Sequence, residues 1–304
     1  MATASLPGIE WRSEVRPCPA CGAERFRHLG RRGGAAHHLG LGSETGVVRC
    51  RECHLVYPRP FLLPEGNPYA AHSALEYFAA HADPAREELG ASLARQAEAR
   101  LGRKGSVLEL GCGRGDLLRG AQRAGWQPFG VELTRDFVVD TPGIEVEVAP
   151  VAQAHSLERT YDAVWLAAII EHLYDPVAVL RRVHAALTDD GVLFIDAPNE
   201  CSLWTFVGNL YMRLRGRDWA VNLSPTFPPY HVVGFCPRSL QRVLEATGFR
   251  EVELRTLRWS NELPRRPGLW PAVERAGTAA VLSAGARLGR GAGMTCWARK
   301  RPAG

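Results

Sequence analysis

The chain contains 304 residues, of which 46% are hydrophobic and 23% charged, enough for one α/β core and a small additional domain. The formal net charge is +5, but only Lys104 and Lys300 are lysines, and the basic excess is small and scattered. Charge therefore gives no indication of a nucleic-acid partner. No stretch approaches the ~20 uninterrupted apolar residues of a membrane span. We expect a cytoplasmic protein without membrane attachment, and the sequence does not indicate its oligomeric state.

The N-terminal segment carries a cysteine pattern typical of a zinc site. Two Cys-x-x-Cys pairs, with 28 residues between them, are formed by Cys18, Cys21, Cys50 and Cys53. Two such pairs can complete a tetrahedral sulfur site, which suits Zn²⁺. Gly22 can supply the positive φ that a tight turn of this kind needs. Four thiolates leave no open position for catalysis, so we predict a structural zinc ion in a zinc-ribbon-like module over residues 1–60.

A helical pattern follows over residues 61–103. Apolar residues recur every four positions from Leu89 to Leu101, and the Asp83-Pro84 pair interrupts the pattern. This spacing predicts two helices. We expect them to link the module to the core and to cover part of the ligand site.

From residue 104 to residue 304, short apolar runs alternate with helical stretches, as in a parallel sheet with crossover helices. Seven strands are predicted, at Ser106–Leu110, Pro128–Glu132, Ile144–Val148, Tyr161–Leu166, Val192–Asp196, Glu251–Thr256 and Met294–Arg299. Helices are predicted at Leu117–Ala124, Pro176–Ala186 and Ser239–Thr247. The sequence therefore predicts an α/β fold with helices on both faces of one sheet.

Two insertions, over residues 200–235 and 260–293, exceed a minimal core of this type. The first is rich in aromatic residues and proline. Three of its side chains can stack on a planar or sugar-ring acceptor, or can close the insertion's own small core. These candidate substrate residues are Trp204, Trp219 and Tyr230.

The stretch Val107–Asp116 contains the most informative motif. A predicted strand runs into a Gly-x-Gly-x-Gly loop and then a helix, so a ligand can approach the helix N-terminus closely. The loop glycines are Gly111, Gly113 and Gly115. Glu132 ends the next predicted strand, where a carboxylate can accept hydrogen bonds from both hydroxyls of a ribose. Glu109 offers an acceptor for a cationic group, and Cys112 fits as a small packing residue in the loop.

These residues, together with later motifs, resemble the class I S-adenosylmethionine-dependent methyltransferases over about Val107–Arg299. The similarity is greatest to the small-molecule branch whose fourth strand leads into Glu-His. The matching segments are Tyr161–Trp165, Glu171–Pro176, Asp190–Ile195, Pro198-Asn199, His231–Phe235, Ser239-Leu240 and Ala246–Phe249. The resemblance implies a Rossmann-like seven-stranded sheet, with the last strand antiparallel between the fifth and sixth, and S-adenosylmethionine at the glycine loop.

The resemblance also implies further cofactor contacts. Many relatives carry an acidic residue after the third strand to hold the adenine amino group, whereas this chain has apolar residues there. Tyrosines from the preceding helices would cover the amino-acid end of the cofactor. The cofactor residues added in this way are Leu133, Val151, Ala152, Ala167, Tyr69 and Tyr77.

Methyl transfer from a sulfonium is an in-line displacement, so the protein must align the reactants and remove a proton from a hydroxyl nucleophile. His172, which follows Glu171 at the carboxyl edge of the predicted sheet, is one candidate base. His231, at the end of the aromatic insertion, is the other, and either ring can instead hold a loop. Glu171 can assist as a catalytic carboxylate. Glu171 and His172 with Asp196 can alternatively bind a divalent metal, although a hydrogen-bonding role for Glu171 is favoured.

The leading hypothesis is O-methylation of a small-molecule acceptor in specialised metabolism, either a natural product or a sugar or glycan. N- or C-methylation of a small molecule is an alternative. From a different class, a ribosomal-RNA base methyltransferase would use the zinc module to bind RNA. A binding protein with an inactive methyltransferase fold is a third reading, against which the complete glycine loop and Glu132 argue.

Overall fold

The N-terminal part of the chain forms two small antiparallel sheets. The computed structural model describes residues 9–69, 85–258 and 269–301. One sheet pairs β1 (Trp11–Glu14) with β5 (Phe61–Pro64). The other contains β2 (Phe26–Arg32), β3 (Thr45–Cys50) and β4 (Val56–Arg59), in that order. The strands of this segment, which we call the cysteine module, therefore continue slightly beyond residue 60.

A seven-stranded sheet forms the centre of the rest of the chain. Its strands are β6 (Ser106–Leu110), β7 (Gln127–Glu132), β8 (Glu145–Val148), β9 (Tyr161–Ala167), β10 (Leu187–Pro198), β11 (Phe249–Leu257) and β12 (Gly293–Lys300). The spatial order is β8-β7-β6-β9-β10-β12-β11. The strand β12 is antiparallel to both neighbours, while β6 to β10 pair in parallel. The predicted strand number and the antiparallel insertion of the last strand are both confirmed.

Alternate residues of the central strands are buried on opposite faces of the sheet, which explains their continuous apolar runs. On one face, Leu108 and Val164 belong to a large cluster that continues into the cysteine module through Leu55. On the other face, Val107 and Trp165 pack in a second cluster. The module and the sheet therefore share one continuous core.

Six helices accompany the sheet in the described part of the chain. They are α1 (Arg86–Leu101), α2 (Asp116–Arg123), α3 (Pro176–Ala186), α4 (Leu203–Leu214), α5 (Pro237–Ala246) and α6 (Leu269–Arg287). The helix α3 begins as predicted, because the Asp175 carboxylate accepts the Ala178 N–H at 2.9 Å and Pro176 occupies the first turn. The first helix predicted before α1 lies outside the described residues.

Helices α1 and α2 approach each other closely because glycine lies at their contact. A Cβ at Gly90 would collide with the backbone of Leu117, and one at Gly120 would collide with the backbone of Glu87. The Glu87 carboxylate also accepts a hydrogen bond from Arg119 at 2.8 Å. This packing fixes α2, which starts directly after the glycine loop.

The first insertion forms α4 and then an extended segment, residues 215–236, that lies against the cysteine module. Val56 in β4 and Gly234 exchange backbone hydrogen bonds of 2.9 and 2.7 Å. Arg31 in β2 accepts from Ala220 at 2.9 Å and donates to Asp218 at 2.8 Å. The module therefore holds the segment that carries His231.

None of the helices within the described residues combines the length and the apolar character of a membrane-spanning helix.

Candidate functional site

The glycine loop connects β6 to α2 and has the left-handed backbone that glycine favours. Gly111, Gly113 and Gly115 have φ values of 69°, 53° and 74°. The N–H groups of Gly111 and Cys112 donate to the Val131 carbonyl at 2.7 and 3.0 Å. A Cβ at Gly111 would collide with the side chain of Ile169, which follows β9. The loop therefore lies between the ends of β7 and β9, at the carboxyl edge of the sheet.

The Glu132 carboxylate lies under this loop. It is 7% exposed and accepts N–H groups from Gly113 at 2.8 Å, Leu133 at 2.8 Å and Thr134 at 3.2 Å. Burial raises the pKa of Glu132, and these three donors oppose that shift. Because a carboxylate offers about four acceptor positions, Glu132 can still accept from a ligand hydroxyl. It therefore fits the predicted ribose site.

Glu109, at the end of β6, is a second buried carboxylate beside the loop. It is 1% exposed, and its Oε2 has no hydrogen-bond partner among the described residues. Burial raises the pKa of Glu109 to about 8, with Asp116 and Glu132 acting in the same direction and Arg86 in the opposite one. A cationic ligand group would satisfy this carboxylate. The predicted contact with the amino-acid end of the cofactor is therefore chemically reasonable.

Of the remaining predicted cofactor residues, Val151, Ala152 and Ala167 lie at or after the carboxyl ends of strands in the same sheet. Val151 is half-buried and Ala152 exposed in a turn after β8, where the Ala152 carbonyl accepts from Arg182 at 2.7 Å. Ala167 ends β9. Cys112 is buried, and a Cβ at Gly130 would lie 2.6 Å from its Sγ. Burial also raises the pKa of the Cys112 thiol, which agrees with a packing role.

Glu171, His172 and His231 come together in a group that we call the acceptor cluster. One ligand-type atom from each of the three residues lies within 4.8 Å of the others. The Glu171 Oε1 is 3.9 Å from the His231 Nε2, and the two imidazole rings are 4.9 Å apart in an edge-to-face arrangement. The sequence-based metal set contained Asp196. The structure instead places His231 in ligand range. The charge of Asp196 acts to raise the pKa of Glu171.

Backbone and tyrosine groups orient His172. Its Nδ1 is 3.2 Å from the Tyr230 carbonyl oxygen and 3.1 Å from the Tyr69 hydroxyl. Because Tyr69 donates its own hydroxyl proton to the Pro229 carbonyl at 3.0 Å, it accepts from His172. Tyr230 has an unusual positive φ of 62°, which directs its carbonyl towards the ring. The Nδ1 therefore carries the proton, and the Nε2 has a free lone pair.

Burial shifts the pKa of each residue of the acceptor cluster. It lowers the pKa of His172 to about 4 and that of His231 to about 3, the latter also because His172 is adjacent. It raises the pKa of Glu171 to about 8. All three shifts favour the uncharged form, as expected for groups removed from water.

The predicted substrate residues separate into two groups. Tyr230 packs edge to face on Tyr69, with the ring centroids 5.2 Å apart, and borders the acceptor cluster. Trp219 lies against the cysteine module, where its backbone forms an isolated parallel β-bridge with Arg31. The Arg217 guanidinium carbon lies 4.4 Å from the centroid of the Trp219 ring. Trp204 is half-buried in α4.

Tyr77, which is among the predicted cofactor residues and not the substrate residues, lies outside the described residues.

The four predicted zinc ligands converge. The Sγ atoms of Cys18 and Cys53 are 3.5 Å apart and those of Cys21 and Cys50 are 3.6 Å apart, and all four lie within 4.8 Å of one another. A tetrahedral zinc with bonds of about 2.3 Å needs sulfur separations of ~3.8 Å. The cysteines therefore fit zinc.

The turns around these cysteines support the same conclusion. Gly22 and His54, at equivalent positions after the two Cys-x-x-Cys pairs, have φ values of 70° and 69°. Backbone N–H groups donate to three of the sulfur atoms, one of them from Glu52 to Cys50 at 3.4 Å. Such donors stabilise thiolates, the form that binds metal.

Sequence reasoning missed Glu200, a buried carboxylate after β10. Its Oε2 accepts from Asn222 at 2.6 Å, and its N–H donates to the Phe235 carbonyl at 2.9 Å. It therefore ties the extended segment to the sheet. The sequence does contain an indication of this residue. Glu200 is an ionisable residue at the start of an apolar, aromatic stretch, and an ionisable side chain that becomes buried there needs a partner.

A family profile described as a methyltransferase domain matches residues 79–254, more than half of the chain. The chain belongs to this methyltransferase-domain family. The match contains the glycine loop, Glu132, Glu171 and His172. Together with the class I sheet order, it identifies an S-adenosylmethionine-dependent methyltransferase.

Two curated relatives share the central part of this methyltransferase. The ubiquinone biosynthesis O-methyltransferase of Actinobacillus pleuropneumoniae serotype 7 (strain AP76) is 22% identical over 171 residues, which cover 51% of this chain and 73% of that protein. The enzyme of the same name from Aeromonas salmonicida (strain A449) is 24% identical over 151 residues, which cover 47% of this chain and 61% of that protein.

Solved structures show the same fold. An S-adenosylmethionine-dependent methyltransferase from Archaeoglobus fulgidus superimposes with a TM-score of 0.51 at 19% identity, over 75% of this chain and 100% of that one. The plantazolicin methyltransferase BpumL in complex with SAH has a TM-score of 0.51 at 12% identity, over 77% of this chain and 91% of that one.

Proposed function

We propose that this enzyme transfers the methyl group of S-adenosylmethionine to an oxygen atom of a small molecule at the acceptor cluster. The observation that carries this proposal is the free Nε2 lone pair of His172, fixed by the hydrogen bonds of Nδ1 to Tyr230 and Tyr69. Ile169, which packs on Gly111, is three residues before His172. The cluster therefore lies on the segment that borders the cofactor loop.

The cofactor contacts follow from the same edge of the sheet. Glu132 would bind the ribose hydroxyls, and Glu109 would face the ammonium group. Adenine would contact the apolar turn after β8, while Tyr69 would cover the amino-acid end and also border the acceptor. The full proposed set is Glu109, Gly111, Cys112, Gly113, Gly115, Glu132, Leu133, Val151, Ala152, Ala167, Tyr69 and Tyr77.

When bound, S-adenosylmethionine supplies an activated methyl group on a sulfonium. The chain must then hold the acceptor oxygen in line and remove its proton. Neutral imidazole nitrogens of His172 or His231 accept this proton, and the Glu171 carboxyl, 3.9 Å from His231, assists. Tyr230 borders the acceptor position, and Trp204 and Trp219 are further candidates for acceptor contacts.

The acceptor that we propose is a natural product or a sugar or glycan. Oxygen as the methylated atom is supported by the two curated relatives, both named as O-methyltransferases. The aromatic character of the first insertion, around Tyr230, favours a planar or ring-shaped acceptor.

We also propose that Cys18, Cys21, Cys50 and Cys53 bind a structural zinc ion in a module of residues 1–60. Residues 61–103 would act as linker and cofactor lid, and residues 104–304 as the core. The backbone pairing of Val56 with Gly234 supports a role of the module in holding the segment that carries His231.

Labelled S-adenosylmethionine and a panel of phenols, catechols and sugars test the proposal, with methyl incorporation followed by mass spectrometry. We expect transfer to a hydroxyl compound. The variants His172→Asn and His231→Asn should each lower turnover, by about 10²- to 10⁴-fold for the true base, while S-adenosylmethionine binding stays within about threefold. Full turnover in both variants would contradict the proposed base, and transfer only to nitrogen, carbon or RNA would contradict the proposed acceptor.

A further inference from the structure

Two cysteines outside the cysteine module and the cofactor loop, Cys201 and Cys236, lie next to each other. The Glu200 N–H donates to the Phe235 carbonyl at 2.9 Å, which brings the two following residues together. Their side chains form a hydrogen bond in which Cys201 is the donor. Cys201 is half-buried, Cys236 is 3% exposed, and both are free thiols. We call these two residues the thiol pair.

The surroundings of Cys236 stabilise a thiolate. Cys236 is the N-cap residue of α5, where the Ser239 N–H faces its side chain and the Ser239 hydroxyl donates to its Sγ at 3.5 Å. The hydrogen bond from Cys201 lowers the pKa of Cys236, and both Ser239 donors act in the same direction, whereas burial opposes them. The same hydrogen bond and burial raise the pKa of Cys201. Cys236 is therefore the nucleophile of the pair, and Cys201 keeps its proton.

The thiol pair lies at the two ends of the first insertion. Cys201 comes two residues before α4, and Cys236 is the N-cap residue of α5. A bond between the two sulfur atoms would close residues 202–235, which include His231, into a covalent loop. The Cys236 Sγ also lies 3.9 Å from the His54 carbonyl oxygen, so this end of the loop contacts the cysteine module. A change at the pair would therefore act on the base of the whole insertion.

We propose that the thiol pair is an oxidation site, at which hydrogen peroxide forms a reversible disulfide bond across the base of the insertion. The Cys236 thiolate attacks one peroxide oxygen, the O–O bond breaks, and the departing hydroxide takes up a proton to give water. The Cys201 thiol then attacks the resulting sulfenic acid, which forms the S–S bond and releases a second water molecule. The peroxide is reduced and both thiols are oxidised. A dithiol reductant reverses the change by thiol–disulfide exchange.

Burial decides which oxidant reaches the pair and which other thiols react. Hydrogen peroxide is little larger than water, so it can reach Cys236 past the half-buried Cys201. Burial raises the pKa of Cys112 and of Cys296, so these two thiols stay protonated and inert. In zinc-loaded protein the four thiolates of the cysteine module are held by the metal. We therefore expect oxidation at the thiol pair before the other cysteines.

Peptide mapping by mass spectrometry tests this site, after zinc-loaded protein has been treated with hydrogen peroxide and its remaining thiols alkylated. We expect a cross-linked peptide that contains Cys201 and Cys236 and that disappears after treatment with dithiothreitol. Cys296→Ala removes a buried thiol outside the pair, so it serves as the control and should cross-link as the wild type does. Absence of the cross-link in folded wild-type protein, or a disulfide between Cys236 and Cys53, would overturn the proposal.

Two single variants test the order of the reaction, with circular dichroism as the check on their fold. In Cys201→Ser, Cys236 lacks the second thiol and should accumulate a sulfenic acid, which dimedone labels. Serine is a common N-cap residue, so Cys236→Ser should retain α5. In that variant the labelling of Cys201 should be about tenfold slower, because its thiol is protonated. Equal labelling rates in the two variants would overturn the role of Cys236 as the nucleophile.

Discussion

Replacing Glu132 by glutamine should weaken S-adenosylmethionine binding strongly while leaving the fold intact. The carboxylate accepts three backbone N–H groups, at 2.8, 2.8 and 3.2 Å. In glutamine one oxygen becomes an NH₂ group, which opposes the N–H of Gly113 and donates where a ribose hydroxyl must also donate. Charge-assisted hydrogen bonds contribute about 1.5–3 kcal/mol each, against about 0.5–1.5 kcal/mol for neutral ones. Beside the three N–H groups, about one acceptor position of the carboxylate remains for a ribose hydroxyl, so the loss is about 1–1.5 kcal/mol, or ~5- to ~13-fold in affinity.

Isothermal titration calorimetry measures this affinity directly, and Asp162→Asn is the matched control. Asp162 accepts the Ser106 N–H at 2.8 Å and pairs with Arg103 at 2.7 Å, but it lies at the amino ends of β6 and β9. The Asp162→Asn variant also loses one negative charge, but at the opposite edge of the sheet. Its affinity for S-adenosylmethionine should therefore stay within about twofold of the wild type. A folded Glu132→Gln variant that binds S-adenosylmethionine within threefold of the wild type would refute the ribose assignment.

Three further predictions concern other parts of the molecule. Cys50→Ser should reduce the zinc content from one ion per chain to near zero in elemental analysis, and it should lower acceptor turnover. The reason is that structural zinc contributes ~10–16 kcal/mol to the folding of small zinc-binding peptides. Full zinc occupancy in the variant would contradict this prediction. Near neutral pH, Glu109 is largely protonated because its pKa is about 8, so binding of the cationic cofactor should release a proton. The release would appear as a binding enthalpy that depends on the buffer in calorimetry, and Glu109→Gln should abolish this dependence. Gly234→Ala should destabilise the fold by about 1–3 kcal/mol in urea unfolding, because its Cβ would collide with Glu200. Gly277→Ala, with nothing within 4 Å, should be neutral or slightly stabilising, and equal effects would contradict the argument.

The sheet could be predicted from the sequence because its signals are local. The strand β6 matches its prediction at both ends, since an apolar run stops at the glycine loop. The strand β10 is longer than predicted and runs over Leu187–Pro198. Its first half contains Asp189 and Asp190 and an irregular register between Leu187 and Val192, so polar residues concealed the strand.

The acceptor cluster could be predicted only in part. Glu171 and His172 are recognisable as a motif, but their proximity to His231 comes from long-range contacts that no local pattern encodes. The Glu171 carbonyl accepts the N–H groups of Val232 and Val233 at 2.8 and 3.0 Å. For the same reason, the sequence predicts Tyr69 only as a cofactor residue, whereas its hydroxyl contacts His172. Long-range backbone pairing, and not composition, decides which side chains meet there.

The most direct test of the central claim is the identity of the atom that receives the methyl group. Purified zinc-loaded enzyme would be incubated with ¹³C-methyl S-adenosylmethionine and a catechol acceptor, and the product examined by NMR spectroscopy. The account predicts a labelled methyl group on oxygen, and its loss in His172→Asn. A labelled methyl group on carbon or nitrogen, or unchanged O-methylation in that variant, would contradict it.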